Sequence, residues 1–295
     1  MPGEAAGGTL FVVATPIGNL DDLTHRAARA LRDADVIAAE DTRRTRALLT
    51  HLAISGKQVV KHDAHASDRA TDALVERLVR GESIALVTDA GTPAVSDPGG
   101  DLVRRAGAAS VRVVPIPGPS AVTTAIAASG LVRGPFFFAA FLPRSGPKRR
   151  RAIARIAKAD EPAVLFEAPQ RAAATLRDLA AAMPDRAACV ARELTKLHEE
   201  ILRGTLAELG AEERRWRGEV TIVVGPAERD ASNAEMDGEP ERSPEEAAAD
   251  VEARIAKALS DGVPTAAIAK RLARELGLPR KEAYERVVRA KGAAR

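Results

Sequence analysis

Between residues 83 and 99 the chain reads SIALVTDAGTPAVSDPG, which places Asp89, Gly91, Thr92, Pro93, Ser96 and Asp97 directly after an apolar run. Carboxylates and hydroxyls interleaved with Gly and Pro are the residue types of a ligand loop. Glycine lets the backbone approach a bound group closely, and free N–H groups and side-chain oxygens can then hold it. A plain strand-to-helix connection needs about two to six residues, and this one is longer. Two other stretches share its texture. Ala14-Thr15-Pro16-Ile17-Gly18-Asn19-Leu20 follows an apolar run at 9–13, and Pro115-Ile116-Pro117-Gly118-Pro119-Ser120-Ala121 follows one at 111–114. In the third loop Ser120 is expected to cap the small-residue helix 121–129, leaving its first N–H groups towards a ligand. None of the three contains Gly-x-Gly-x-x-Gly or Gly-Lys-Ser/Thr, so a dinucleotide fingerprint and a P-loop are both missing.

Charged clusters offer a second kind of chemistry. In Glu40-Asp41-Thr42-Arg43-Arg44-Thr45-Arg46, two acids precede three arginines at a strand end. Asp41 or Thr42 would cap the next helix, and Arg43 and Arg44 either form a solvated face or contact phosphate. Lys148-Arg149-Arg150-Arg151, after Arg144, is either surface or a site for a polyanion. His62 and His65 lack the His-Glu-x-x-His spacing and read as polar loop residues; no metal site is expected. The only cysteine, Cys189, leaves no internal disulfide and no Cys-based metal cluster, and its apolar strand context suggests core packing.

These groups are positioned by alternating elements. Strands are expected at 9–13, 35–39, 58–61, 83–88 and 111–114, with helices at 24–33, 42–50, 68–80, 98–107 and 121–129 between or after them. That alternation predicts an α/β fold with a largely parallel sheet covered on both faces, spanning 8–132. From Phe136 the aromatic run FFFAAFLP opens a second α/β domain, 133–226, with strands at 163–167, 187–192, 199–204 and 219–224 and a short helix at 205–215. Residues 227–243 are polar and aperiodic, a linker. Residues 244–295 read as a helical module, with helices at 244–260, 265–276 and 281–291, the last two arranged as a helix-turn-helix. From Val251 onward it carries eleven Lys/Arg against five Asp/Glu, which suits nucleic acid or a docking surface. The formal net charge of +3 over 295 residues is too small to name a partner by itself. No apolar run approaches the roughly 18 residues of a membrane span and no secretory pattern opens the chain, so no membrane partner and a cytoplasmic location are expected.

ATPIGNLDDLT, AEDTRRTRALL, VTDAGTPAVSDPG, PIPGPSA, FLPRSG, LFEAPQR, ARELTKLHEE and GEVTIVVG occur in this order between residues 14 and 225. Together they resemble the tetrapyrrole-methylase superfamily and, within it, the family of 16S ribosomal RNA ribose methyltransferases that act on a decoding-centre cytidine. The resemblance implies two α/β domains with S-adenosylmethionine in the cleft between them. It also implies a homodimer, the small ribosomal subunit as partner, and methyl transfer to a cytidine 2′-oxygen. Carried across by motif, it assigns Pro16, Gly18, Asp89, Gly91, Thr92, Pro93, Ser96, Asp97, Gly118, Ser120 and Ala121 to the cofactor side. Phe166, Glu167 and Ala168 are the second domain's contribution, and Arg192, Glu193, Thr195, Lys196 and His198 close over it. Tetrapyrrole methylases show Gly-Asp-Pro where this chain has Gly91-Thr92-Pro93, which favours the RNA branch. The fuller His-Glu-His-Asn-Glu run of that branch is here His62-Asp63-Ala64-His65-Ala66.

A ribose hydroxyl is a poor nucleophile at neutral pH, so its attack calls for a base or a cation that stabilises the alkoxide. Asp89, Glu193, Lys196 and His198 are the candidates, and phosphate contacts fall to Arg43, Arg44, Lys148, Arg149, Arg150 and the tail. A small-molecule tetrapyrrole methyltransferase of the same fold and a non-enzymatic nucleic-acid-binding protein are the rival readings.

Overall fold

The computed structural model describes residues 7–227, 251–252, 255–261, 263–276 and 279–293. Contacts divide the chain after Glu228 into a large and a small unit. Most of the expected linker, and the start of the expected helix 244–260, lie outside the described residues.

In the large unit the first sheet runs β3 (Gln58–Lys61), β2 (Val36–Ala39), β4 (Ile84–Val87), β1 (Thr9–Val13), β5 (Arg112–Ile116), and every pairing is parallel. β2 and β4 are four-residue apolar runs buried throughout, as a strand covered on both faces demands. One face packs Leu31, Ile37, Leu49 and Val87; the other packs Leu10, Leu78, Leu86 and Leu102. The helices are α1 (His25–Asp33), α2 (Thr42–His51), α3 (Asp68–Val79) and α4 (Gly100–Ala108). Thr24, Asp41 and Ser67 cap the first three by accepting from backbone N–H groups of the first turn. The connection from β1 to β2 passes β4, whereas that from β4 to β5 passes β1. The two connections cross by taking opposite faces of the sheet, β1 leading to α1 on one face and β4 to α4 on the other, and their loops bound a crevice at the carboxyl ends of the strands, where open α/β sheets bind ligands.

The second sheet runs β6 (Phe137–Phe141), β7 (Ala163–Glu167), β10 (Val220–Val224), β8 (Ala187–Arg192), β9 (Glu200–Thr205). Only β6 and β7 are parallel; the other pairings are antiparallel. One of its faces is covered by α6 (Gly146–Lys158), α7 (Pro169–Ala182) and α8 (Leu206–Ala211), through Ile156, Leu176 and Leu206. The other is covered by α5 (Ala121–Ser129), which follows the last strand of the first sheet. Val122 and Ala125 of α5 pack on Val164, Cys189, Ala191 and Val223, and Ile17 joins the same cluster. Small side chains let this helix lie close to the strands. The Arg203 guanidinium of β9 donates to the carbonyls of Ala128 and Ser129, placing a cation at the helix's negative end.

Two sequence expectations need correction. The helix expected at 205–215 ends at Ala211, because Arg214 turns back to hold Glu200 at 2.9 and 2.6 Å. The Arg214 guanidinium also stacks 4.6 Å from the ring of Trp216, which is buried. His62 does lie in the loop after β3, as expected, and there it is buried: its Nε2 lies 3.3 Å from the Thr71 hydroxyl, and burial pushes its pKa down. Arg149 is not a surface phosphate contact. It is buried, donates to Asp178 at 2.9 and 2.7 Å, to the Thr175 hydroxyl at 3.0 Å and to the Pro143 carbonyl at 3.2 Å. It ties α6 to α7, while Lys148 and Arg150 beside it are exposed.

The small unit has helices at Thr265–Leu276 and Arg280–Ala293 and helical turns at 255–260. It buries Val251, Ile255, Ile268, Leu272, Ala283 and Val287 together. No helix among the described residues is long and apolar enough to cross a membrane.

Replacing Arg149 by Ala should cost about 2–3 kcal/mol in chemical denaturation, since charge-assisted hydrogen bonds are lost in a buried setting. Lys148→Ala and Arg150→Ala should each stay within about 0.5 kcal/mol of the parent. Equal effects at all three positions would show that Arg149 is surface after all.

Candidate functional site

The crevice is built on a backbone staple. Thr15 N–H donates to the Gly91 carbonyl at 2.9 Å and Gly91 N–H donates to the Thr15 carbonyl at 3.0 Å. The Thr15 hydroxyl adds a bond to the Thr88 carbonyl at 3.1 Å. Gly91 sits at φ +82°, a conformation that glycine adopts without a steric penalty. From this staple the other segments are tied in. The Thr92 hydroxyl donates to the Pro119 carbonyl at 3.4 Å, linking the third loop. Asp89 N–H donates to Glu40 Oε2 at 3.2 Å, and Asp41 N–H donates to Asp89 Oδ1 at 3.1 Å.

Between these loops and the second sheet lies a cavity of about 370 Å³. That is within the usual range for small-molecule sites. Asp89, Gly91, Thr92, Ser96 and Asp97 line it from the central loop, and Ser120 and Ala121 from the third. Ser120 occupies the N-cap position of α5 but makes no capping bond, contrary to expectation, so its hydroxyl and the helix's first N–H groups are left towards the cavity. Phe166, Glu167 and Ala168 line the opposite side with Phe141. The Phe166 ring meets Phe138 edge-on at 5.0 Å and Phe141 at 5.6 Å, which makes an aromatic wall. The Glu167 carboxylate is buried and already engaged. It accepts from the Thr175 hydroxyl at 2.6 Å and from Ala168 N–H at 2.8 Å, and it faces Arg171 at 3.2 Å, so it positions the wall.

The cavity is acidic. Glu40, Asp89, Asp97 and Glu219 line it against a single cation, Arg44, whose guanidinium stands 3.4 Å from Asp89. Burial, reinforced by the Glu40 and Asp89 carboxylates, pushes the Asp97 carboxyl up to about 6. Sequence reasoning missed Glu40 and Glu219, although both stand in the motifs AEDTRRTRALL and GEVTIVVG; the signal was that each ends or starts a buried strand.

Other expected site residues lie elsewhere. Pro16 lines a smaller adjoining hollow of about 240 Å³, which shares Arg44 and Asp89 with the cavity. Gly18 is a contact between loops: a Cβ there would come 2.4 Å from Lys196 Cγ and 3.0 Å from the Leu194 carbonyl. Gly118 packs against Ala14, where a Cβ would come within 3.0 Å, and Pro93 is buried beneath the loop. Neither lines the cavity. Arg192 is committed to Glu200 at 2.9 Å, and the Thr195 hydroxyl accepts from Asn19 N–H at 3.1 Å.

Lys196 donates to Glu193 at 2.9 Å and to Glu219 at 3.1 Å. Burial alone would lower its pKa, but these two carboxylates outweigh it and raise it, so the amine stays charged and cannot serve as a base near neutral pH. Glu193 is likewise held below its ordinary range, since its bonds to Lys196 and to Glu219 N–H overcome the effect of burial. His198 is exposed in the turn after Lys196 and does not reach the cavity. Arg43 is exposed and paired with Asp41 at 3.2 Å. Among the described residues no group of His, Cys, Asp and Glu is arranged to hold a metal ion.

The Asp97 shift has a defined sign. Its carboxyl rises from 3.8 to about 6 on folding, so the folded chain binds the extra proton and stability falls as pH rises from about 4 to about 6. Asp97→Asn should therefore stabilise the protein by about 1–2 kcal/mol at pH 7 to 8, after allowance for solvent screening, and by nothing near pH 3. Denaturation measured at both pH values checks this; equal effects at both would contradict it.

The family model for Tetrapyrrole (Corrin/Porphyrin) Methylases matches residues 9–210. Ribosomal RNA small subunit methyltransferase I of Xylella fastidiosa is 43% identical over 283 residues, covering 94% of this chain and 98% of that protein. The protein of the same name from Bacillus subtilis is 38% identical over 285 residues, covering 96% and 95%. Among solved structures, diphthine synthase aligns with a TM-score of 0.57 at 20% identity, covering 74% of this chain and 90% of that one. The uroporphyrin-III C-methyl transferase of Thermus thermophilus, complexed with S-adenosyl homocysteine, aligns with a TM-score of 0.52 at 18% identity, covering 74% and 97%. The two-sheet α/β fold is thus the tetrapyrrole-methylase fold, and the chain belongs to the tetrapyrrole-methylase family, in its branch of ribosomal RNA small subunit methyltransferases I.

Proposed function

We propose that the cavity holds S-adenosylmethionine and that the enzyme transfers its methyl group to the ribose 2′-oxygen of a cytidine in 16S ribosomal RNA. The observation that carries this reading is the acidic, aromatic-walled cavity at the three tied loops. A sulfonium and an ammonium are cations, and Glu40, Asp89, Asp97 and Glu219 supply the complementary charge. Phe141 and Phe166 offer flat apolar surface to a purine ring, and the backbone at Gly91, Thr92 and Ala121 offers polar groups at close range. The residues present therefore fit the cofactor. When bound, it supplies a methyl group activated by the positive sulfur.

What the chain itself must do is orient the acceptor hydroxyl, exclude water and accept a proton. Lys196 and Glu193 are paired with one another, Asp89 is bonded to Asp41 N–H and faces Arg44, and His198 lies outside the cavity. Asp97 is the lining carboxylate whose pKa, at about 6, is matched to a base working near neutral pH. We assign proton acceptance to Asp97, with Asp89 as its oriented neighbour.

The relatives' names support ribosomal RNA of the small subunit, rather than a tetrapyrrole, as the acceptor. We assign phosphate contacts to Arg43 and Arg44 at the start of α2 and to Lys148 and Arg150 in the first turns of α6, a reading supported by their exposed guanidinium and ammonium groups. α6 begins just beyond the end of β6 that brings Phe141 to the cavity. A homodimer working in the cytoplasm, where small subunits are assembled, belongs to the same reading.

Asp97→Asn should lower the rate of labelled-methyl transfer to small ribosomal subunits by about 10²–10⁴-fold. Its affinity for S-adenosylmethionine should fall far less than the rate, by about tenfold at most, because Glu40, Asp89 and Glu219 still supply charge to the cofactor. In the parent, kcat/KM should rise with pH through about 6. Lost cofactor affinity with an unchanged rate at saturation would make Asp97 a binding residue only. No methylation of small subunits by the parent would overturn the proposed substrate.

A further inference from the structure

In the small C-terminal unit, among the described residues, one face of the last helix is exposed rather than packed in the unit's own core. In Arg280–Ala293, Ala283 and Val287 are fully buried in the unit's own cluster with Ile255, Ile268 and Leu272. Tyr284 and Val288, one turn apart on another face, remain 49% and 47% exposed. Tyr284 is the only tyrosine of the chain. At 100° per residue, Lys281 and Lys291 fall on the same stripe, one turn before Tyr284 and one turn after Val288, and both are exposed. The helix carries five cations, Arg280, Lys281, Arg286, Arg289 and Lys291, against two acids, Glu282 and Glu285.

We propose that this stripe is an RNA-docking surface on which an unpaired base stacks against Tyr284 and Val288 while Lys281 and Lys291 contact the phosphates on either side. Charge complementarity selects the occupant. An apolar protein surface laid on Tyr284 would desolvate both lysines without pairing them, whereas a nucleic-acid strand presents a flat base between two anionic groups. Single-stranded RNA is favoured over a duplex because A-form bases are stacked inward and their deep groove excludes side chains, while loops and bulges splay bases outward. The proposal goes beyond the methyl-transfer reading and does not depend on it. Binding to RNA can be read without cofactor.

The test uses the full chain with a short unstructured oligocytidylate as probe, titrated by fluorescence anisotropy at several salt concentrations. Tyr284→Ala should weaken binding about tenfold, within the range expected for loss of one stacked base. Tyr284→Phe should bind like the parent, because the ring rather than the hydroxyl is used. Lys281→Ala should weaken binding and lower the slope of log K against log salt by about 0.7. S-adenosylmethionine affinity should be the same in all three variants, and circular dichroism should show the parent's helix content. If Tyr284→Ala binds the oligonucleotide like the parent, or if Tyr284→Phe loses as much as Tyr284→Ala, the stacking proposal fails. If Tyr284→Ala binds RNA normally but no longer cosediments with small subunits, the surface docks a ribosomal protein and the RNA assignment is wrong.

Discussion

The two hydrogen bonds between Thr15 and Gly91 are the constraint on which the site depends. β1 and β4 are neighbours, but their chains depart in opposite directions, so nothing in the sheet itself would hold the ends of their loops together. The reciprocal bonds at 2.9 and 3.0 Å do this. They require a backbone at residue 91 with φ +82°, which glycine tolerates and a β-branched residue does not. Once the pair is made, Asp89 lies between Asp41 and Arg44, Thr92 reaches the Pro119 carbonyl, and three loops become one wall.

The opposite wall is supplied through α5. This helix is connected in sequence to the first sheet and buries its side chains against the second, so the two sheets cannot move apart without exposing Val122, Ala125, Val164 and Val223. A second tie runs from Gly18 and Asn19 to Thr195 and Lys196, at a separation that leaves no room for a Cβ at residue 18. Lys196 in turn holds Glu219 at the cavity's edge. Lys196, Glu193 and Glu167, charged side chains in and around the site, thus serve as fasteners, while Asp97 is left half-buried among like charges.

Much of this was legible in sequence because it is local. Four-residue apolar runs such as Val36–Ala39 marked parallel strands, and Gly- and Pro-rich loops after three of them marked the cavity's wall. What stayed hidden depends on distant partners. Arg149 and Lys148 are adjacent and chemically alike in sequence, but helical geometry turns one towards Asp178 and Thr175 and the other to solvent. Gly18 and Gly91 are both loop glycines; only the residues brought across from the second sheet make Gly18 a packing glycine. Glu219 stands in the motif GEVTIVVG, but nothing local shows that it lines the cavity; it does so because it leads into β10 at the centre of the second sheet. Asp97 was legible by motif as a cofactor-side residue, whereas its raised pKa, on which the proposed proton-acceptor role rests, comes from burial and from Glu40 and Asp89, which no local pattern reveals.

The central claim is that the stapled loops create the binding site for the methyl donor. Calorimetric titration of S-adenosylmethionine into the parent and into Gly91→Val tests it most directly, with thermal denaturation to verify that the variant is folded. Saturable binding at one site per chain in the parent, weakened at least about thirtyfold in a folded Gly91→Val, is the expected result. Absence of binding to the parent, or equal binding by both proteins, would contradict it.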